Sequence, residues 1–169
     1  KTSQKYGFHY EVYCPNQEDL ELLIRDKGIN LFYDSVENRK ACCGVRKVEP
    51  LGRVLSTADA WLTGLRKGQS VTRTDLSIAE WDASHQNLKF NLLLEWSETD
   101  VWEYIRAHDV PYNSLHDQGF PSIGCAPCTR AITPGEDLRA GRWWWENPDS
   151  KECGLHLVDG KMVRRKEIE

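Results

Sequence analysis

The cysteines are the side chains of this 169-residue chain best suited to chemistry, and four of the six form two closely spaced pairs. Cys42 and Cys43 are adjacent, and two residues separate Cys125 from Cys128. A CxxC spacing lets two thiolates reach one metal centre from a single tight turn. Adjacent side chains diverge, so Cys42 and Cys43 share one centre more easily if that centre contains several metal ions.

Four interpretations of these pairs remain open from the spacing. Four thiolates suffice for a [4Fe–4S] cluster, in which different irons take different cysteines. A CxxC is also half of a structural zinc site, or a thiol–disulfide couple. Buried cysteines can simply be small apolar residues. The adjacency of Cys42 and Cys43 favours the cluster over the single zinc ion.

A further cysteine, Cys153, lies outside both pairs and three residues before His156. A thiolate is a nucleophile, and a single cysteine near a histidine is a candidate for covalent catalysis. His156 would either lower the pKa of the Cys153 thiol or help to dock the tail. The alternative is an inert exposed thiol. Three consecutive tryptophans, 143–145, are predicted to anchor this tail because large apolar rings are unfavourable in water.

Basic side chains accompany the cysteines. Lys47 follows Cys43 by four residues, Arg66 ends a predicted strand, and Arg139 and Arg142 precede the tryptophans. A thiolate that approaches an anionic substrate needs cations to offset the repulsion. Arginine binds oxyanions in a bidentate manner, and lysine supplies a point charge. Each of these residues alone is also typical of a solvated surface.

The elements that must position these residues alternate between strands and helices over the first 110 residues, which predicts an α/β domain. Strands are predicted at 8–14, 59–66, 76–82 and 88–96. Helices are predicted at 17–28, 49–58 and 97–109, with a loop over 38–47 that leads into a short helix. From residue 110 onward, proline, glycine and polar residues predict an irregular segment, which a bound metal or cluster would hold together.

Bulk composition narrows the function classes. Hydrophobic residues make up 40% and charged residues 28%, as in ordinary globular proteins. The net charge of −4 disfavours a nucleic-acid binder. No run of about 18 apolar residues predicts a membrane span, and the polar first ten residues do not predict a signal peptide.

Five segments, taken together and in order, resemble the assimilatory adenylyl-sulfate (APS) reductases, which are thioredoxin-dependent enzymes of sulfate assimilation in the PAPS/APS reductase family. The segments are CCGVRKVEPL (42–51), TGLRKGQSVTR (63–73), IGCAPCTR (123–130), GRWWWE (141–146) and KECGLH (151–156). Each segment alone is a weak signal, but the combination of CC, CxxC and ECGLH is specific. The enzymes that reduce the 3′-phosphorylated substrate (PAPS) share ECGLH and lack both cysteine pairs.

The resemblance implies a role for each candidate residue. Cys153 would attack the sulfur of APS, release AMP and form an S-sulfocysteine that reduced thioredoxin converts to sulfite. The matching basic positions hold the phosphosulfate in the family, and His156 is a possible support. The implied cluster ligands are Cys42, Cys43, Cys125 and Cys128, and the implied phosphosulfate-binding residues are Lys47, Arg66, Arg139 and Arg142.

The resemblance also implies a fold. It is a single APS reductase domain over 1–169, an adenine-nucleotide alpha-hydrolase-like parallel sheet with flanking helices, followed by a mobile tail at 143–169. The family carries a Ser/Gly-rich phosphate loop ahead of the region seen here, so we expect that this sequence covers the C-terminal two thirds of the family domain. A homo-oligomer and a reducing compartment, the cytoplasm or a plastid stroma, are further expectations.

Two other functions compete with an APS reductase. One is a PAPS reductase that retains a metal site, because no residue identifies the 3′-position of the nucleotide. The other is a non-catalytic binding module whose CC and CxxC hold a structural zinc ion.

Overall fold

The structure is a computed structural model that describes residues 1–69 and 76–147. The described residues form two compact units. One unit comprises 13–62 and 79–90, and the other comprises 1–12, 63–69, 76–78 and 91–147. Cys153 and His156, the two candidate residues of the predicted tail, lie outside the described residues.

The helices of the first unit follow local signals in the sequence. Helix α2 covers Gln17–Lys27, where the Asn16 side chain accepts the N–H of Asp19 and Gly28 ends the helix with φ 80°. Both ends agree with the predicted helix at 17–28. Helix α4 covers Glu49–Leu55 with proline in its first turn, as predicted, because proline needs no N–H partner there.

The predicted loop at 38–47 is wrong. Helix α3 covers Val36–Cys43, and it is followed by a π-helical turn, Gly44–Val48, that leads directly into α4. The Ser35 hydroxyl accepts the N–H of Asn38 and caps the start of α3. Charged residues and a glycine suggested a loop, but a serine cap and the absence of proline from residues 36–49 allow a continuous helical path.

Three short strands form the sheet: β1, Ala60–Thr63; β2, Ala79–Asp82; and β3, Asn87–Asn91. Their order is β1–β3–β2, and β2 pairs antiparallel with β3 so that Trp81 faces Leu88. The predicted strands at 59–66, 76–82 and 88–96 are confirmed as shorter elements. The predicted α/β class is confirmed, with this antiparallel hairpin included in the sheet.

The two faces of this sheet differ in polarity. Alternate residues of β3, including Asn87 and Lys89, are buried, and the Lys89 ammonium lies 2.7 Å from a Glu80 carboxylate oxygen. On the opposite face Trp81 and Leu88 are exposed. A buried charge is tolerated when it is paired, so the ion pair explains how Lys89 occupies an interior position.

In the other unit, helix α1 covers Thr2–Tyr6 and helix α5 covers Glu98–Ala107. Ser97 and Asp100 form the predicted capping box of α5 by exchanging hydrogen bonds with each other's backbone N–H. The Ser97 hydroxyl and the Ser97 N–H both donate to the Asp100 carboxylate and lower its pKa. The predicted strand at 8–14 is wrong, because this segment pairs with no described strand although its residues alternate.

Residues 110–147 contain only short 3-10 turns and loops, which confirms the predicted irregular segment. The turns are Ser114–Gln118 and Ala126–Cys128. Among the described helices, none combines the length and the apolar character of a membrane-spanning segment.

Candidate functional site

The CxxC sequence forms one tight turn with a thiol at each end. Cys125 has extended backbone angles and is exposed, whereas Cys128 ends the 3-10 turn and is buried. The Cys128 N–H donates to the Cys125 carbonyl at 2.9 Å. Thr129 reinforces the turn, because its hydroxyl donates to the Cys125 carbonyl and accepts the N–H of Gly124, both at 3.0 Å.

A second chain segment pairs with the end of this turn. The N–H of Arg130 donates to the carbonyl of Gly141 at 2.9 Å, and the N–H of Trp143 donates to the carbonyl of Cys128 at 3.1 Å. Thr129 and Arg142 lie opposite each other in an isolated antiparallel bridge. Antiparallel hydrogen bonding thus ties 128–130 to 141–143 and fixes the backbone that carries Arg142.

Trp143 anchors this pairing. Its side chain is 2% exposed, and its backbone adopts φ 42°, a left-handed conformation that is unfavourable for a bulky residue. Such strain persists only where surrounding contacts hold it, and it concentrates at functional sites. The prediction that the tryptophans pack against the body is confirmed for Trp143 and wrong for Trp144, which is 40% exposed.

The Arg142 guanidinium lies at the beginning of the CxxC turn. Its Nη1 donates to the Ile123 carbonyl at 3.3 Å, and its Cζ lies 4.7 Å from the centre of the Trp143 ring. A cation over an aromatic face is electrostatically favourable, and the planar guanidinium also stacks well. The structure therefore places one of the predicted anion-binding residues beside the predicted cysteine ligands of this unit.

An ion pair closes the loop between the two paired segments. Nη1 and Nη2 of Arg130 donate to the Glu136 carboxylate at 2.9 and 2.7 Å, and the Thr133 N–H donates to the same group at 2.7 Å. The hydrogen bonds from Arg130, together with that from Thr133, lower the pKa of Glu136 to about 2. Bidentate pairing fixes geometry as well as charge, so the loop returns to residue 141 along a defined path.

The CC pair occupies the end of α3 in the other unit. Cys42 is buried and Cys43 is half-buried, and the π-helical turn that follows them carries Lys47, which is exposed. Single π-helical turns are frequent at functional sites because they reorient side chains along a helix. Lys47 therefore lies on the irregular turn that begins directly after the predicted ligands.

Arg39 is a residue that the sequence reasoning missed. Its side chain is completely buried in α3, three and four residues before the cysteine pair. Residues at these spacings share one helix face. A buried guanidinium is unfavourable unless it is paired. The spacing of Arg39 from Cys42 and Cys43 was visible in the sequence. It indicates a shared face only in a helix, and this region was predicted as a loop.

The remaining basic candidates are more peripheral within their unit. Arg66 lies three residues after the end of β1 and is half-buried, and Arg139 is half-buried just before the 141–143 pairing. Arg139 and Arg142 share a turn, because the N–H of Arg142 donates to the Arg139 carbonyl at 2.9 Å. The structure places the Arg142 guanidinium at the CxxC turn and Lys47 on the turn that follows the CC pair.

The donor set fits the group that the sequence suggested. Each pair offers one buried and one more accessible thiol, and thiolates are the ligands that [4Fe–4S] clusters require. Within residues 1–69 and 76–147, no group of three or more His, Cys, Asp or Glu side chains is arranged around one point as metal ligands are. Cys42 and Cys43 lie in one compact unit, and Cys125 and Cys128 lie in the other.

Comparison with known proteins identifies related sequences. The family model for the phosphoadenosine phosphosulfate reductase domain matches residues 1–131. The chain is 60% identical over 155 residues to an adenosine 5'-phosphosulfate reductase of Allochromatium vinosum, with 92% of this chain and 60% of that protein covered. It is 50% identical over 157 residues to an enzyme of the same name from Rhizobium tropici, with 93% and 87% covered.

The fold also matches a solved structure. The crystal structure of phosphoadenylyl-sulfate (PAPS) reductase from Candida auris, a phosphate complex, aligns with a TM-score of 0.60 at 31% identity. This alignment covers 75% of the present chain and 60% of the fungal chain. The chain spans about three fifths of the length of its relatives from Allochromatium vinosum and Burkholderia cepacia, at 60% and 63%.

Proposed function

Because the chain belongs to the phosphoadenosine phosphosulfate reductase domain family, we propose that it acts in the reduction of adenosine 5'-phosphosulfate (APS) to sulfite and AMP. The observation that carries the proposal is the difference in identity between relatives. Identity is 60% to a protein named adenosine 5'-phosphosulfate reductase and 31% to one named PAPS reductase. The two cysteine pairs on which the resemblance to the APS enzymes rests are also present.

The proposed reaction begins at Cys153. Its thiolate attacks the sulfur of APS and forms an S–S bond, while the bond from sulfur to the phosphate oxygen breaks and AMP leaves with that electron pair. The product is an S-sulfocysteine on Cys153. A thiolate of reduced thioredoxin then attacks the Cys153 sulfur, and sulfite leaves with the bonding pair. The second thioredoxin thiol resolves the mixed disulfide, so thioredoxin supplies both electrons and leaves as a disulfide.

The basic residues have a defined task in this scheme. Substrate and nucleophile are both anionic, so fixed cations that bind the phosphosulfate, before and during the reaction alike, must offset their repulsion. Arg142 is the best-supported candidate, because its guanidinium is held in one orientation by the Ile123 carbonyl and the Trp143 ring. Lys47, Arg66 and Arg139 would complete the binding site, and His156 would support Cys153.

Cys42, Cys43, Cys125 and Cys128 would hold a [4Fe–4S] cluster. When bound, the cluster would supply a cross-link between chain segments and a local charge. It would not supply the two electrons of the reaction, which come from the thiols of thioredoxin. The chain's own contribution is the Thr129-reinforced turn, which presents Cys125 and Cys128 from a backbone already fixed by hydrogen bonds. Iron and acid-labile sulfide analysis after anaerobic purification tests this assignment.

About four irons per chain would support the cluster, whereas one zinc ion and no sulfide would support the structural zinc module. Cys125→Ser should lower the iron content, and Cys14→Ser is the matched control because Cys14 is an exposed cysteine outside both pairs. Equal iron loss in the two variants would contradict the proposed ligands.

The test of the reaction is transfer of radiolabelled sulfur from APS to the protein without reductant. Label should appear on the unmodified chain and on Cys14→Ser, and it should be absent from Cys153→Ser. Addition of reduced thioredoxin should release the label as sulfite. If the unmodified chain never acquires label, the proposed mechanism is wrong.

The PAPS alternative has support in the fold match to the Candida auris enzyme. The relative rates of reduction of APS and PAPS decide between the two substrates, and faster reduction of PAPS would contradict our assignment of APS.

We further propose that the protein forms a homo-oligomer and works in the cytoplasm or another reducing compartment, where its thiols stay reduced. Sedimentation of the purified chain tests the oligomer.

A further inference from the structure

The orientation of the Arg142 guanidinium depends on a residue that has no side chain. Gly124 directly precedes Cys125, and a Cβ built on Gly124 would lie 2.5 Å from Cζ and 2.7 Å from Nε of Arg142. It would lie closer still to Nη2. Carbon and nitrogen atoms that are not bonded do not approach to such distances, so the guanidinium occupies the volume that any other residue at 124 would need.

The other sides of the guanidinium are also occupied. The Trp143 ring centre lies 4.7 Å from Cζ, and the Ile123 carbonyl accepts from Nη1 at 3.3 Å. Trp143 is itself buried and hydrogen-bonded to the Cys128 carbonyl. Arg142 is therefore seated in a slot formed by the Gly124 backbone and the Trp143 ring.

A side chain at position 124 would displace the guanidinium rather than the backbone. The CxxC turn is held by two hydrogen bonds of the Thr129 hydroxyl and by the hydrogen bond from the Cys128 N–H to the Cys125 carbonyl. The guanidinium, in contrast, lies at the end of a long side chain with several rotatable bonds. Steric overlap is relieved where the least structure must move, which here is the head group of Arg142.

We infer that Gly124 is a positioning residue that keeps the Arg142 guanidinium at the start of the CxxC turn. The identity of the anion that this guanidinium meets, the phosphosulfate of APS, rests on the proposed function. A guanidinium held in this slot is oriented before substrate binds, so little side-chain entropy is lost on binding. Gly124 thus influences substrate affinity through Arg142, without contacting the substrate itself.

The expected effect of Gly124→Ala is a higher KM for APS. Loss of a charged hydrogen bond corresponds to a change of about 10- to 100-fold in affinity. An interaction made equally with substrate and transition state changes KM and leaves kcat within about twofold. Gly52→Ala is the control, because a Cβ there meets nothing within 4 Å and KM should stay unchanged.

The decisive experiment combines Gly124→Ala with Arg142→Ala. If Gly124 acts through Arg142, removing the guanidinium also removes the steric overlap. The double variant should then have the KM of Arg142→Ala alone. Its thermal midpoint should equal or slightly exceed that of Arg142→Ala, because alanine also restricts the unfolded chain, although Gly124→Ala alone lowers the midpoint of the unmodified chain.

Additive effects of the two substitutions on KM and on the midpoint would overturn the inference, because Gly124 would then act on the CxxC turn directly. An unchanged KM in Gly124→Ala would overturn it as well. If the unmodified chain does not reduce APS, the proposed function fails. The thermal midpoints of the same four proteins still decide whether Gly124 and Arg142 are coupled.

Discussion

Replacement of Gly141 by alanine should break the pairing that ties the CxxC turn to the tryptophan segment. A Cβ on Gly141 would overlap the carbonyl oxygen of Arg130 and lie 3.2 Å from a methyl carbon of Ile132. The nearest group is backbone, so no rotamer change relieves the contact. The two segments must separate instead.

The magnitude follows from the bonds that this separation would break. The hydrogen bonds from Arg130 to Gly141 and from Trp143 to Cys128 contribute about 1 kcal/mol each. Partial exposure of the buried Trp143 ring adds to this loss. We therefore expect the free energy of unfolding to fall by about 2 to 4 kcal/mol.

The control is Gly64→Ala in the same compact unit, where a Cβ meets nothing within 4 Å. That substitution should be neutral or stabilise by about 0.4 to 1 kcal/mol, because alanine restricts the unfolded chain. Urea unfolding monitored by tryptophan fluorescence measures both. Amide hydrogen exchange should accelerate at Arg130 and Trp143 in Gly141→Ala only.

If both glycine variants unfold at the same urea concentration and exchange stays slow at both amides, the steric reasoning is wrong. Faster exchange at only one of the two amides would show that the segments do not separate as a unit.

Three further predictions concern stability. Ser97→Ala should lower the free energy of unfolding by about 1 kcal/mol through loss of the α5 cap, measured by urea unfolding. Leu94→Ala should cost about 2 to 5 kcal/mol because Leu94 is 2% exposed, whereas Leu62→Ala, at 68% exposure, should cost less than about 0.5 kcal/mol. Because the pKa of Glu136 falls from 4.5 to about 2 on folding, its stabilising effect is present above pH 4.5 and is lost as the pH falls towards 2. Glu136→Gln should therefore reduce the change of the thermal midpoint with pH between these values. An unchanged dependence of the midpoint on pH would contradict the Arg130–Glu136 assignment.

Local signals made several elements predictable from the sequence. Both ends of α2 and the start of α5 were predicted from Asn16, Gly28 and Ser97, because a cap requires only residues within one turn. The irregular character of the region after residue 110 followed from its proline and glycine content for the same reason.

Of the two elements that were predicted wrongly, one is explained by long-range pairing and the other by a cap that lies outside the predicted segment. The alternating segment 8–14 has the sequence of a strand, but a strand also needs a hydrogen-bonded neighbour, and no described strand provides one. The loop predicted at 38–47 is helical because Ser35 starts α3 and the π-helical turn carries the path into α4. Neither outcome is encoded in the residues of the segment alone.

The sequence by itself determined which residues could do chemistry: the paired thiols, the Cys153 thiol near His156 and four cations are properties of residue type and spacing. Only the tertiary structure decided that Arg142 lies against the CxxC turn and that Gly124 leaves room for it. The two glycines at 124 and 141 look ordinary in the sequence, because the need for a missing side chain arises only where distant backbone segments approach each other.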